Sequence, residues 1–281
     1  MNSHQCDETK TGESAIMKII GEKINGTRTS VARAIKNREA GFILSLAEAQ
    51  IRAGADILDV NAGSTPDRES DDIVWLVQTI QDMADIQLCL DSSRAEPLKA
   101  ALAKVNHIPM INSISGESKR LNDILPLAAE HQCELIALAL DEGGIPKTAD
   151  RRFDVVCRIM DLTRKSGLPD EKIYIDPLVM SIATDTEAGN ITLEVIRRIR
   201  TEFPRTHITM GLSNVSFGLP NRQLINRTFL SLALAYGLDS AIIDPTEAAM
   251  QESLLATQLL LGKDRFCRNY TTAHRNGIEH G

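Results

Sequence analysis

The sequence predicts an α/β fold: one closed barrel of eight parallel strands, each followed by a helix, the (β/α)8 or TIM-barrel architecture. Three observations predict it. The chain has 281 residues, an ordinary length for a single barrel of this kind. Eight short apolar runs recur along it, and each is succeeded by a segment with apolar residues at three-to-four spacing, the period of a helix. Acids and amides stand where several of those runs end, and a barrel of parallel strands brings all strand C-termini to one mouth.

The strands are expected at Lys18–Ile20, Ile57–Val60, Gln87–Leu90, Pro109–Asn112, Leu135–Leu140, Ile173–Ile175, His207–Gly211 and Ala241–Ile243. Most lack polar–apolar alternation, as parallel strands covered on both faces do. The first helix is expected at Ala40–Ala53, stopped by Gly54. The next, Ser70–Met83, opens with acids from Glu69 to Asp72, which complement the positive end of a helix dipole. Pro97–Val105, Asn122–His131, Phe153–Ser166, Leu193–Phe203, Asn221–Tyr236 and Thr246–Leu261 complete the set. This recurrence matches successive right-handed βαβ crossovers. No Gly-x-Gly-x-x-Gly follows the first strand and no phosphate-binding Gly-Lys-Ser/Thr loop occurs, which disfavours a nucleotide-binding open sheet. No linker-like segment divides the chain. The expected organisation is a polar N-terminal extension over residues 1–16 and one barrel domain over 17–281.

Hydrophobic residues make up 43% and charged residues 25%, enough to bury a sizeable core. Aromatics are only 4%, too few for a base-stacking platform. The net charge of −7, without a basic run, argues against nucleic acid and anionic membranes as partners. Met1 to Ser14 carries no apolar core of the kind a secretion signal needs, and no later stretch is apolar enough for a membrane span. The cysteines (Cys6, Cys89, Cys133, Cys157, Cys267) are scattered and none has C-x-x-C spacing. Neither a zinc site nor a disulfide framework follows, and a reducing cytoplasm is the expected compartment.

The polar residues at the run ends carry the functional signal. Asp59 and Asn61 flank Val60 and lie on one side of an extended chain, although Asn-Ala-Gly is also ordinary turn chemistry. Asp91 follows Gln87-Leu-Cys-Leu90 and could cap the next helix. Asn112 closes Ile108-Pro-Met-Ile, and Asp176 precedes Pro177, where a bend alone explains an acid. Taken singly, capping and turn chemistry account for these residues. Gathered in one mouth, they form a small-molecule site. Carboxylates and amides with few basic neighbours suit a neutral heterocycle that presents N–H donors, rather than a phosphate. An amino-pyrimidinone edge offers a ring N–H and an exocyclic amine in one plane to Asp, while Asn both donates and accepts.

Five strings carry a resemblance: Leu58-Asp-Val-Asn61, Leu90-Asp-Ser-Ser93, Ile111-Asn-Ser113, Ile173-Tyr-Ile-Asp-Pro-Leu178 and Gly211-Leu-Ser-Asn-Val-Ser216, with Ile20-Gly-Glu-Lys-Ile-Asn-Gly-Thr-Arg28 at the start. Together they resemble the pterin-binding barrel superfamily, in particular the methyltetrahydrofolate:corrinoid protein methyltransferases, which include the folate domain of cobalamin-dependent methionine synthase. The likeness runs from about Lys18 to Asp244.

The resemblance implies a pterin-binding TIM barrel that moves a methyl group between N5 of tetrahydrofolate and the cobalt of a corrinoid. Asp91, Asn112 and Asp176 would hold the pterin ring. Asn214 would reach the N5 region as the catalytic residue, with Asp59 and Asn61 supporting the pocket. Gly211 and Ser213 would belong to the same substrate-binding loop, Ser216 would help to hold it, and Arg222 and Arg227 could meet the folate tail. Tetrahydrofolate or methyltetrahydrofolate would be the substrate, and no resident metal is expected. No Asp-x-His-x-x-Gly corrinoid anchor occurs in the chain, so the corrinoid would arrive on a separate corrinoid protein docked over the mouth. The resemblance also implies a homodimer. It leaves the direction of transfer open, including return of methyl from a methylcorrinoid in a demethylation pathway such as that of glycine betaine. Dihydropteroate synthase shares the barrel, but that branch carries a Lys after the seventh strand and an Arg-x-His at the eighth. Here those places read Ser213-Asn-Val-Ser and Ile243-Asp-Pro-Thr-Glu. A non-catalytic folate-binding subunit is a further alternative.

Overall fold

Eight parallel strands form the wall of a nearly closed barrel in the computed structural model, which describes residues 17–276. The strands are β1 (Lys18–Asn25), β2 (Ile57–Asn61), β3 (Gln87–Asp91), β4 (Met110–Ser115), β5 (Glu134–Leu138), β6 (Ile173–Asp176), β7 (His207–Ile208) and β8 (Ser240–Ile243). From β1 to β7 each strand pairs with the next in sequence, and β8 pairs with β1. The wall closes weakly between β7 and β8, through a bridge from Gly211 to Ile242 and a 3.0 Å bond from the Ile242 N–H to the Met210 carbonyl. The N-terminal extension and Cys6 lie outside the described residues.

The helices are α1 (Thr29–Asn37), α2 (Ala40–Arg52), α3 (Glu69–Gln81), α4 (Ala95–Leu102), α5 (Ser118–Asp123), α6 (Leu125–Glu130), α7 (Ala149–Lys165), α8 (Ala188–Glu202), α9 (Arg222–Tyr236), α10 (Ala248–Leu260) and α11 (Arg268–Asn276). Their apolar stripes pack on the outward residues of the strands, in one large core that includes Leu58, Val60, Leu90, Ile111, Ile175 and Ile208. The inward residues form a second, smaller layer: Ile20, Ile57, Cys89, Met110, Ile136 and Tyr174. Both faces of each strand are therefore covered, which is why the sequence runs are continuously apolar.

Four differences from the sequence reading have local causes. α1 was not anticipated, because only Val31, Ala34 and Ile35 of its nine residues are buried. The expected helix Asn122–His131 is broken at Ile124 into α5 and α6, with Pro126 in the first turn of α6, where a proline is tolerated. β7 is only two residues long, and Gly211 starts a 3-10 turn, Leu212–Ser216, instead of ending a strand. β1 extends to Asn25 across a register shift between Gly21 and Ile24.

Candidate functional site at the barrel mouth

Period-two alternation carries the interior layer up to the mouth. Ile57 points inward on β2, so Asp59 and Asn61 do too; Cys89 does so on β3, followed by Asp91; Met110 leads to Asn112 and Tyr174 to Asp176. The register then lines them up: Asn61 sits opposite Asp91, and Asp91 opposite Asn112. Asp59 lies one layer deeper, opposite Cys89. Asp176 comes in from the other side of the wall, opposite Leu138.

Two amide–carboxyl pairs organise the near side. Asn61 Nδ2 donates to Asp91 Oδ2 at 2.8 Å, and Asn112 Nδ2 donates to Asp59 Oδ1 at 3.2 Å. These bonds fix how both amides face, leaving each amide oxygen available as an acceptor. Asp59 is 3% exposed. Burial, and then the charge of Asp91, pushes its carboxyl up to about 8, against the opposing hydrogen bonds from Asn112 and the Cys89 thiol. Asp91 is raised too: burial lifts it, the Asn61 bond and the charge of Arg120 on α5 oppose the rise, and the charge of Glu69 adds to it. Like charges this close do not both ionise readily. Of the two, the deeper Asp59 is the acid that burial holds in the protonated form at neutral pH.

Asp176 is held differently. It is 6% exposed, and its carboxylate accepts the backbone N–H of Leu178 at 2.7 Å and that of Gly211. Burial raises it to about 6, while those two amides and the charge of Arg152 oppose the rise. Gly211 also opens the 3-10 turn that carries Ser213 and Asn214. Asn214 is exposed on that turn. Arg222 of α9 clamps the turn from behind, its guanidinium donating to the Ser213 carbonyl at 2.7 Å and to Ser216 Oγ at 3.1 Å. Ser213 thus contributes its carbonyl to holding the turn. Arg227 has no such contact with it.

A tight backbone approach sets the β1–β2 corner. Gly26 N–H donates to the Asn61 carbonyl at 2.8 Å. A Cβ on Gly26 would fall 1.8 Å from the Ala62 carbonyl oxygen, and Gly63, at φ 58°, would meet Gly26 in return. Next to it, Glu22 is raised by burial and ion-paired with Arg28 at 3.1 Å, and Lys23 pairs with Asp244. The sequence reading named neither Cys89 nor Arg120 nor Arg152 as part of the site. Only the inward position of Cys89 beside Asp59 could have been found, by extending the alternation.

Three comparisons with known proteins agree with this geometry. The family described as "Pterin binding enzyme" matches residues 21–244. A methylcorrinoid:tetrahydrofolate methyltransferase of Eubacterium limosum is 39% identical over 263 residues, covering 93% of this chain and 97% of that one. The methionine synthase of Mycobacterium tuberculosis is 32% identical over 244 residues, which is 82% of this chain but 20% of that longer protein. Among solved structures, the dihydropteroate synthases of Xanthomonas albilineans and Yersinia pestis align with TM-scores of 0.69 and 0.65, at 17% and 15% identity and over 88% and 89% of this chain. At that identity they show the shared barrel alone. The chain belongs to the pterin-binding enzyme family, in the branch that holds the corrinoid-dependent folate methyltransferases.

Proposed function

We propose that this protein is a methyltransferase that moves a methyl group between N5 of tetrahydrofolate and the cobalt of a corrinoid carried on a separate protein. The observation that carries this reading is the mouth itself, where Asp91, Asn112 and Asp176 present two ionisable acceptors and an oriented amide to one space. A pterin edge with N–H donors beside a ring carbonyl matches that set. Asp59 and Asn61 hold Asn112 and Asp91 in orientation from below and beside.

As the N5–CH3 bond breaks, its electron pair stays on nitrogen, which must therefore carry a proton or a strengthening hydrogen bond. Asn214 cannot serve as a general acid, but its amide on the clamped turn can accept from protonated N5 or orient a water there. That is electrostatic stabilisation by a placed dipole. The corrinoid supplies the methyl acceptor or donor when it docks, so the barrel needs no nucleophile of its own. The same pocket serves both directions of transfer. Phe217, 68% exposed three residues beyond Asn214, offers apolar contact to a partner over the mouth. Away from it, Leu232 and Tyr236 on α9 and Leu260 on α10 are exposed, which favours a homodimer through these helices. No helix among the described residues is long and apolar enough to cross a membrane, and a cytoplasmic site of action fits the scattered free thiols.

The test is calorimetric titration of methyltetrahydrofolate into the wild-type protein and Asp176→Ala, with p-aminobenzoate as control, followed by methyl transfer to cob(I)alamin. Binding that Asp176→Ala weakens by roughly 10- to 100-fold, together with turnover, supports the reading. Binding without turnover, also with a corrinoid protein supplied, would leave a folate-binding subunit. A folded wild type that ignores the folate sinks both.

A further inference from the structure

None of the roles above uses Arg152, although it is among the largest fully buried side chains, 2% exposed in the first turn of α7. A guanidinium stays charged at any ordinary pH, and a buried cation needs partners. Among the described residues, no carboxylate forms an ion pair with it, and backbone carbonyls take its donors. Nε and Nη2 donate to the Pro146 carbonyl at 3.2 and 2.8 Å. Nη1 donates to the carbonyls of Pro177 and Leu178 at 3.1 and 2.6 Å, and meets Thr192 Oγ1 of α8 at 3.4 Å.

One cation therefore ties the β5–α7 loop to the turn that directly follows Asp176. That turn is unusual. Leu178 has φ 58°, a left-handed conformation that a leucine adopts only when its surroundings enforce it. The conformation aims the Leu178 N–H at the Asp176 carboxylate, at 2.7 Å. Arg152 grips the carbonyl of the same residue. It is also the charged side chain that acts on Asp176, opposing the upward push of burial; Asp185 is the other acid that acts on Arg152.

We propose that Arg152 is a positioning residue for the methyl transfer: through the Pro177–Leu178 turn it fixes the Asp176 carboxylate, and by its charge it keeps that carboxylate an acceptor for the pterin N–H groups. The inference rests on the reading that Asp176 holds the pterin. Charge and geometry are separable. Lysine keeps the charge but cannot reach carbonyls of both loops with a planar fork, whereas methionine fills the space without charge.

The experiment measures methyltetrahydrofolate affinity by calorimetry across the acidic and neutral range for wild type, Arg152→Lys and Arg152→Met. In parallel, the Asp176 carboxyl is titrated by 13C NMR without folate. In Arg152→Met the Asp176 midpoint moves up by about one pH unit or more, and the acid limb of binding moves with it. In Arg152→Lys the midpoint stays near the wild-type value, while affinity falls roughly tenfold at every pH, the loss of a charge-assisted contact. Folded variants with wild-type midpoints and affinities overturn the proposal. If Arg152→Met does not fold, Arg152→Lys decides alone: pH-independent weakening supports it, and wild-type affinity overturns it. A wild type that binds no folate overturns the proposed function instead, and the carboxyl titration still tests whether Arg152 acts on Asp176.

Discussion

Asn112 donates its side-chain amide to Asp59 at 3.2 Å across 53 residues of sequence, and this bond lets a buried acid orient the amide that faces the mouth. The pair resembles neither a cap nor a turn. It joins two strands that are not neighbours in the wall, β2 and β4, over the top of Cys89 on β3.

The protonation of Asp59 has a measurable consequence for stability. Its folded value, about 8, lies above that of an unfolded carboxyl, near 4. Stability linked to it is fully present below the unfolded value and is lost as pH rises through the folded one. The loss is on the order of a few kcal/mol. Asp59→Asn keeps an acceptor for Asn112 and removes the titrating proton, so urea unfolding of this variant should lose less stability between about pH 4 and about pH 8. Parallel pH curves for variant and wild type would contradict this assignment.

Asp176 acts in the other direction on ligand binding. With a midpoint about 6 in the free protein, its carboxylate is the acceptor above that pH and is lost below it. Methyltetrahydrofolate affinity is expected to fall as the pH drops through about 6. Asp176→Ala should weaken binding by roughly 10- to 100-fold at neutral pH, the worth of a charge-assisted hydrogen bond. Calorimetry over a pH series checks both statements, and circular dichroism confirms that the variant is folded.

Asn214 stands exposed on a turn clamped by Arg222, so removing its amide should leave the fold intact. Asn214→Ala is expected to lower kcat by about 100-fold, as the loss of one placed dipole does elsewhere, and to change folate affinity much less. Single-turnover transfer to cob(I)alamin separates the two. A variant with lower affinity and unchanged kcat would make Asn214 a binding residue only.

Gly63 has φ 58°, and a Cβ there would lie 2.4 Å from the Gly26 carbonyl carbon. Gly63→Ala combines a strained backbone with a clash that no side-chain rotation relieves. A loss of about 2 kcal/mol or more in thermal or urea unfolding is expected. Because Gly26 N–H bonds the Asn61 carbonyl, folate affinity should weaken as well. A fully stable Gly63→Ala protein would show that the corner opens easily.

The strands were legible because each is a run of apolar residues bounded by polar ones, and all eight expected runs overlap the strands of the wall. The mouth residues were legible for a related reason: Asn61, Asp91 and Asp176 are the last residues of their strands, where the barrel makes every chain end meet, and Asp59 and Asn112 share the inward side of β2 and β4 a few residues before the end. α1 was missed because its buried face has three residues, and the break at Ile124 because Pro126 reads as compatible with either a helix start or its interior. Arg152 was illegible. An arginine on a helix is ordinarily solvated, and nothing local marks the three carbonyls that receive it.

The amino-acid sequence by itself determined the count and order of strands, and that five polar side chains would face one mouth, since both follow from local periodicity and from parallel topology. Tertiary structure alone decided which of those side chains pair, which acid keeps its proton, and which buried cation secures the Asp176 turn. Those properties depend on distances between segments 25 to 53 residues apart and on how completely water is excluded from each carboxyl. Desolvation and Coulomb energies arise only once the chain has closed on itself.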